Sequence, residues 1–383
     1  MSVRGILFIA NGHGESAIAG RLARALAASA APRHCDLFPL VGTGGGAGIA
    51  SVVGPRREMP SGGLVAMGNL RAFAADLRAG FAGLFGEQLR FLAGARNRYD
   101  AIVAVGDTYA LALALLVRRP VVFVGTAKSV YVAPYGPGER LLLRRAARTF
   151  VRDAATAERL RSQRVPAEAP GNVIADLVER DGPGEARARS MLGVLPGSRA
   201  TAYADGVQLA AVARALGSLV AGLRVRFSVA PTLDAARFAA VLAADGWAVA
   251  AADEDPGAAY VAYADATRLE LWTGSFGALL NASVAVLGQA GTGNEQAAAF
   301  GIPVIALDDE RAPSGAWYRM RQRRLLGDAL ALVPAAPHLA AAAIAALWRD
   351  PQRLAAMGAA GRERMGAPGG AAAIARAIGE VAG

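Results

Sequence analysis

The chain has 383 residues, with 41 Lys plus Arg against 31 Asp plus Glu and a net charge of +10. That length exceeds what one hydrophobic core ordinarily organises and predicts two domains, while a single cysteine, Cys35, excludes a disulfide framework and a cysteine-rich metal site. Residues 1 to 165 carry 22 basic and 10 acidic side chains and residues 166 to 383 carry 19 and 21, so the first half favours an anionic partner, either a nucleic acid or an anionic membrane surface.

The start of the chain has an apolar run of only residues 6 to 10, too short for a signal peptide, and no later run approaches a membrane span. A cytoplasmic location is expected. Residues 5 to 10 read as a strand, followed by the loop Asn11-Gly12-His13-Gly14-Glu15-Ser16 and a helix over about 17 to 30. Residues 35 to 40 form a second strand and 64 to 67 a short one. A long amphipathic helix is expected over about 70 to 93, where Leu70, Phe73, Leu77, Phe81 and Leu84 recur at helical spacing among Arg71, Arg78 and Arg90. Most of that stripe is core, and its excess of Phe also suits an acyl-binding or membrane-contacting face. Residues 101 to 105 are a buried strand ending in Gly106-Asp107-Thr108, with a helix to about 117, and strands follow at 121 to 124 and 149 to 151. The alternation describes a doubly wound sheet.

Residues 171 to 185 read as a crossover, after which the pattern restarts. A strand over 191 to 195 enters Pro196-Gly197-Ser198-Arg199, a helix covers about 203 to 220, and strands are expected at 224 to 229, 247 to 251 and 269 to 272. Residues 283 to 287 then run into Gly288-Gln289-Ala290-Gly291-Thr292-Gly293, a helix begins near Asn294 and ends at Gly301, and 302 to 307 form the next strand. Three helices close the chain, at about 337 to 348, 351 to 365 and 371 to 381. The expected domains are 1–178 and 186–360, each Rossmann-like, with 361–383 as a C-terminal helix packing back across them.

A glycine turn at the carboxyl end of a parallel strand is where open α/β sheets bind ligands, and the free amides of the following helix suit a diphosphate. Glu295 in the first turn can accept hydrogen bonds from ribose hydroxyls; its plainer role is to offset the helix dipole. The turns after Gly197 and Gly291, on neighbouring strands of one sheet, would converge on one diphosphate. His13, Glu15 and Asp107 stand at strand ends of the first domain, and Asp107 is both a candidate general base and a candidate N-cap. Asp253-Glu254-Asp255 reads as a solvated turn rather than a metal motif. Arg144, Arg145, Arg148 and Arg152, like the arginines between 319 and 324, read as solvated helix faces. Of the 41 basic residues only Lys128 is a lysine, a bias of composition that lowers the weight of any single arginine.

Taken in order, Asn11-Gly12-His13-Gly14-Glu15, Val105-Gly106-Asp107, Gly171-Asn172, Leu195-Pro196-Gly197-Ser198-Arg199 and Ala290-Gly291-Thr292-Gly293-Asn294-Glu295-Gln296 resemble lipid-A-disaccharide synthase. The resemblance is closer still to the lipid-A-disaccharide synthase-related proteins, which Arg323-Arg324-Leu325-Leu326-Gly327 also matches. The chain departs from the pattern at Ser16-Ala17-Ile18, at Val173 and over 308 to 314.

The resemblance implies an α/β protein of GT-B architecture, two Rossmann-like doubly wound domains facing across a cleft. It implies a metal-independent glycosyltransferase with no cofactor, using a UDP-sugar as co-substrate and a lipid-linked or acylated sugar as acceptor. It makes Asp107 the candidate base, and His13 and Glu15, from their place in the first glycine loop, join it as catalytic candidates. Gly197, Ser198, Arg199, Gln289, Gly291, Thr292, Gly293, Asn294, Glu295 and Gln296 go to the nucleotide-sugar; the acceptor candidates are Gly14 and Ser16 of the first loop and, from the apolar stripe, Phe73, Leu77 and Phe81. A peripheral place on the inner face of the cell membrane follows, and nucleic acid is set aside because no binding module for it is recognisable. The rivals are a UDP-sugar 2-epimerase of the same fold and a GT-B homologue that has lost catalysis.

Overall fold

The computed structural model describes residues 5–29, 32–41, 51–57, 78, 80–178, 190–198, 201–252, 256–308 and 313–383. The expected strand at 64 to 67, Phe73, Leu77, Arg199 and Asp253 to Asp255 lie outside them, as does the side chain of His13. The chain divides into two compact units, Met1–Leu177 with Pro368–Gly383, and Val178–Ala367.

The first unit is built on a six-stranded sheet of order β3-β2-β1-β4-β5-β6. Its strands are β1 (Gly5–Asn11), β2 (Cys35–Val41), β3 (Ser51–Val52), β4 (Tyr99–Gly106), β5 (Val121–Gly125) and β6 (Arg148–Val151). All pairings are parallel. Both faces are covered, which is why β1 and β4 read as unbroken apolar runs. On one face Ile6, Phe8 and Ala10 pack with residues of α1 (His13–Ala27) and of the last helix of the chain, α13 (Gly370–Ala382). On the other, Leu7 and Ile9 meet α2 (Phe81–Ala95) and α3 (Thr108–Leu116). Helix α13 is tied to this unit by Asp176, whose carboxylate accepts from the amides of Gly369 (2.5 Å) and Ala371 (2.7 Å).

The expected helix over 70 to 93 is corrected at Gly80, where φ is 92°. That left-handed backbone ends any helix reaching it and makes Gly80 the N-cap of α2. Helix α1 begins at His13, so residues 13 to 16 form its first turn rather than a loop.

The second unit carries an eight-stranded sheet of order β14-β13-β12-β7-β8-β11-β10-β9. Its strands are β7 (Met191–Leu195), β8 (Arg224–Ser228), β9 (Ala248–Ala251), β10 (Ala258–Ala264), β11 (Thr267–Trp272), β12 (Ser283–Gly288), β13 (Val304–Asp308) and β14 (Leu330–Pro334). Its helices are α6 (Ala202–Gly217), α7 (Ala235–Ala244), α8 (Phe276–Ala282), α9 (Thr292–Ala299), α10 (Pro313–Leu326), α11 (Pro337–Trp348) and α12 (Pro351–Met365). The sheet departs from a purely parallel one: β10 runs antiparallel to both neighbours, joined to β11 through a turn in which Asp265 takes φ 50°. Strand β10 is absent from the sequence reading because four of its seven residues, in AAYVAYA, are alanine, which is depleted in strands and dilutes the signal of Tyr260, Val261 and Tyr263. The core here gathers Val225, Phe227, Leu269 and Leu271 against Phe238 and Leu242 of α7.

The arginine runs also require correction. Arg148 is the first residue of β6 and Arg152 follows its last, so neither lies on a helix face. Arg152 is only 7% exposed and donates to the Thr126 carbonyl at 3.3 Å. Arg319 is likewise buried and pairs with Asp308 at 2.8 Å.

Candidate active site

In the first unit β1 and β4 are neighbours, so Asn11 and Gly106-Asp107 leave the same edge of the sheet side by side. Asn11 Nδ2 donates to Asp107 Oδ2 at 2.8 Å, and Asp107 Oδ1 accepts from the amides of Tyr109 (3.1 Å) and Ala110 (3.0 Å). Asp107 is therefore the N-cap of α3, and the cap fixes its carboxylate at the strand end.

Glu15, in the first turn of α1, lies over Gly106. A Cβ built on Gly106, where φ is 116°, would stand 2.7 Å from Glu15 Cγ, so only glycine leaves room for this side chain. Burial pushes the Glu15 carboxyl up to about 7, and the nearby Asp107 carboxylate adds to the rise against a backbone hydrogen bond that lowers it. The edge thus offers an ionisable pair in which one carboxyl is capped by backbone amides and the other holds its proton to near neutrality. Gly14 is exposed, whereas Ser16 is buried and donates to the Gly12 carbonyl at 2.9 Å. Phe81 is half-buried beside Phe85, their ring centroids 5.9 Å apart.

Next to Asp107 is a network the motifs did not reveal. Glu139 accepts from Thr108 Oγ1 (2.9 Å), Lys128 Nζ (2.6 Å) and the Gly136 amide (2.7 Å). Burial alone would raise its carboxyl, but these bonds outweigh it and hold the group below its ordinary value. Tyr135 is buried against Gly125, with its phenol pushed up by burial and by Glu139, and Asp153 is buried at the end of β6. Their signals in the sequence are slight: a single lysine in an arginine-rich chain and an Asp two residues past a strand.

In the second unit β7 pairs directly with β12, placing Leu195 opposite Gly288, so the two glycine turns leave one edge together. The amides of Gln289 (3.0 Å) and Ala290 (3.2 Å) both donate to the Leu195 carbonyl, which locks one turn onto the other. Gly197 takes φ 111° with open space where a side chain would stand, and the Ser198 carbonyl accepts from Thr232 Oγ1 at 3.0 Å. Helix α9, with Gly291 as N-cap, starts here with Thr292 exposed, Gly293 and Gln296 part-buried, and the part-buried Glu295 in its first turn. Asn294 is buried and donates to the Gly288 carbonyl at 3.2 Å, so its amide braces the turn from within. Among the described residues no three His, Cys, Asp or Glu side chains gather as a metal-ligand set.

Two Rossmann-like units with these sheets match solved structures along their whole length. MurG of Acinetobacter baumannii shares 15% identity with the chain at a TM-score of 0.57, covering 98% of this chain and 99% of its own. A UDP-GlcNAc 2-epimerase of Neisseria meningitidis, solved bound to UDP-GlcNAc, shares 12% at 0.54, with 98% and 99% covered. CalG4, the calicheamicin glycosyltransferase, shares 15% at 0.55, with 99% and 98% covered. The chain has the GT-B fold. At these identities the likeness shows the fold alone. No protein-family model matches the chain, and no curated protein does.

Proposed function

We propose that the chain is a UDP-sugar-dependent glycosyltransferase related to lipid-A-disaccharide synthase, transferring a hexose to a lipid-linked or acylated sugar acceptor at the cytoplasmic membrane surface. The observation that carries the reading is the β7–β12 pairing, which brings two glycine turns and the start of α9 to one edge, with Glu295 in the first turn of that helix as the proposed ribose acceptor. In this reading the second unit holds the donor, and Asp107 takes the proton from the acceptor hydroxyl as it attacks the anomeric carbon. The membrane location is supported by the +12 balance of residues 1 to 165 and by exposed Leu141 on α4 (Pro137–Leu143), followed by exposed Arg144 and Arg145.

A second reading, a UDP-sugar 2-epimerase, is favoured by the Glu15–Asp107 pair, because a carboxyl protonated near neutrality beside a carboxylate supplies acid and base with no acceptor present. Calorimetry with UDP tests the shared part: Glu295→Ala is expected to weaken binding by on the order of 2 to 4 kcal/mol, two charge-assisted hydrogen bonds. Unchanged affinity removes Glu295 from the nucleotide site. UDP-sugar turnover with and without a sugar acceptor then separates the two activities, since only the epimerase consumes donor alone.

A further inference from the structure

Outside the edge that carries Asp107, the first unit has a pocket of about 130 Å³ between α4 and α5 (Ala154–Ser162), lined by Arg140, Arg159, Gln163, Thr156, Leu160 and Tyr135 among others. No carboxylate lines it. Arg140 is held in place by one N–H to the Tyr135 carbonyl at 2.9 Å, which leaves the rest of its guanidinium fork for another acceptor. The Arg159 guanidinium and the Gln163 amide have no partner among the described residues. Thr156 is buried and its hydroxyl accepts from the Val130 amide at 3.0 Å, so the pocket wall is itself fixed. Leu160 and Tyr135 are buried lining residues, and apolar lining beside two cations strengthens their pull on an anion. The nearest acid on α4, Glu139, is committed to Lys128, Thr108 and Gly136.

We propose that this pocket binds a phosphate group, separately from any nucleotide held by the second unit. Its size agrees: the volume is close to the roughly 150 Å³ engineered cavity that admits benzene and well below the roughly 300 to 1,000 Å³ of pockets for whole small molecules. Two forked guanidiniums with an amide donor match the oxygens of phosphate better than a single carboxylate. The phosphate belongs either to a soluble phosphorylated molecule or to a lipid headgroup, the latter suited by an exposed apolar side chain, Leu141, one residue after Arg140 on α4.

The test uses the full chain with inorganic phosphate in calorimetry, and vesicles of phosphatidylcholine with or without phosphatidic acid in sedimentation. Two substitutions probe the pocket without entering the core: R159Q removes a charge, and Q163E sets a carboxylate against the ligand. Phosphate affinity is expected to fall about tenfold or more in each variant, a difference of about 1.4 kcal/mol or more, while UDP affinity stays as in the parent. If phosphatidic acid also recruits the parent chain and R159Q abolishes the recruitment, the source is a headgroup. If phosphate binds in this way but vesicles do not, the source is soluble. Absence of phosphate binding, or binding that both variants leave intact, overturns the proposal, whatever the outcome of the UDP experiment.

Discussion

Glu15→Gln isolates the cost of burying a charge at the candidate active site. In the folded chain burial lifts the Glu15 carboxyl from 4.5 to about 7. Between those values the folded state holds a proton that the unfolded chain has released, so stability falls as pH rises through this window and levels off above it. At about 1.4 kcal/mol per pH unit, the loss accumulated by pH 8 is on the order of 3 kcal/mol. Glutamine has nearly the same shape and no charge at any pH. The variant should match the parent near pH 4.5 and exceed it progressively to on the order of 3 kcal/mol at pH 8. The four tryptophans, Trp247, Trp272, Trp317 and Trp348, all belong to the second unit. The assay is therefore amide hydrogen exchange on β1 and β4, which reports local opening of the first unit. A difference between variant and parent that does not change from pH 4.5 to 8 would refute the reasoning, because it would mean that Glu15 is charged or solvated throughout.

Asp107→Asn keeps a cap acceptor for Tyr109 and Ala110, and Asn11 can turn its amide to meet the new group. UDP binding and melting should hold while turnover of a UDP-sugar with acceptor falls about 100- to 10,000-fold, and full turnover would leave Asp107 as a cap alone. Asp176→Ala deprives Gly369 and Ala371 of their acceptor. It should cost on the order of 2 to 3 kcal/mol and expose α13 to proteolysis first, whereas unchanged protection of α13 would show that apolar packing alone holds it. Gly106→Ala sets a methyl 2.7 Å from Glu15 Cγ at φ 116°. Destabilisation on the order of 1 to 3 kcal/mol is expected, with part of it relieved when Glu15→Ala is added, and strictly additive losses would place the strain in the backbone instead.

Local chemistry makes much of this chain legible from its residues alone. Apolar runs bounded by glycine turns are enough to mark most strands of both sheets, because strands buried on two faces lose the alternation of exposed ones. Asp107 and Glu295 stand out because each follows such a strand and begins a helix. The same local rules fail at Gly80, where left-handed backbone stands inside a sequence stripe of helical spacing, and at β10, whose alanines favour no strand. Tertiary structure alone decides which strand ends are neighbours: Asn11 meets Asp107 across 96 residues of sequence, and Leu195 meets Gly288 through the β7–β12 pairing. It also decides that Arg152 and Arg319 are buried, that Lys128 and Thr108 share one carboxylate with the Gly136 amide, and that Gly106 makes room for Glu15. The physical reason is that propensity and turn chemistry act over a few residues. Which side chains share a desolvated site depends on strand order and packing, which only the assembled sheet supplies.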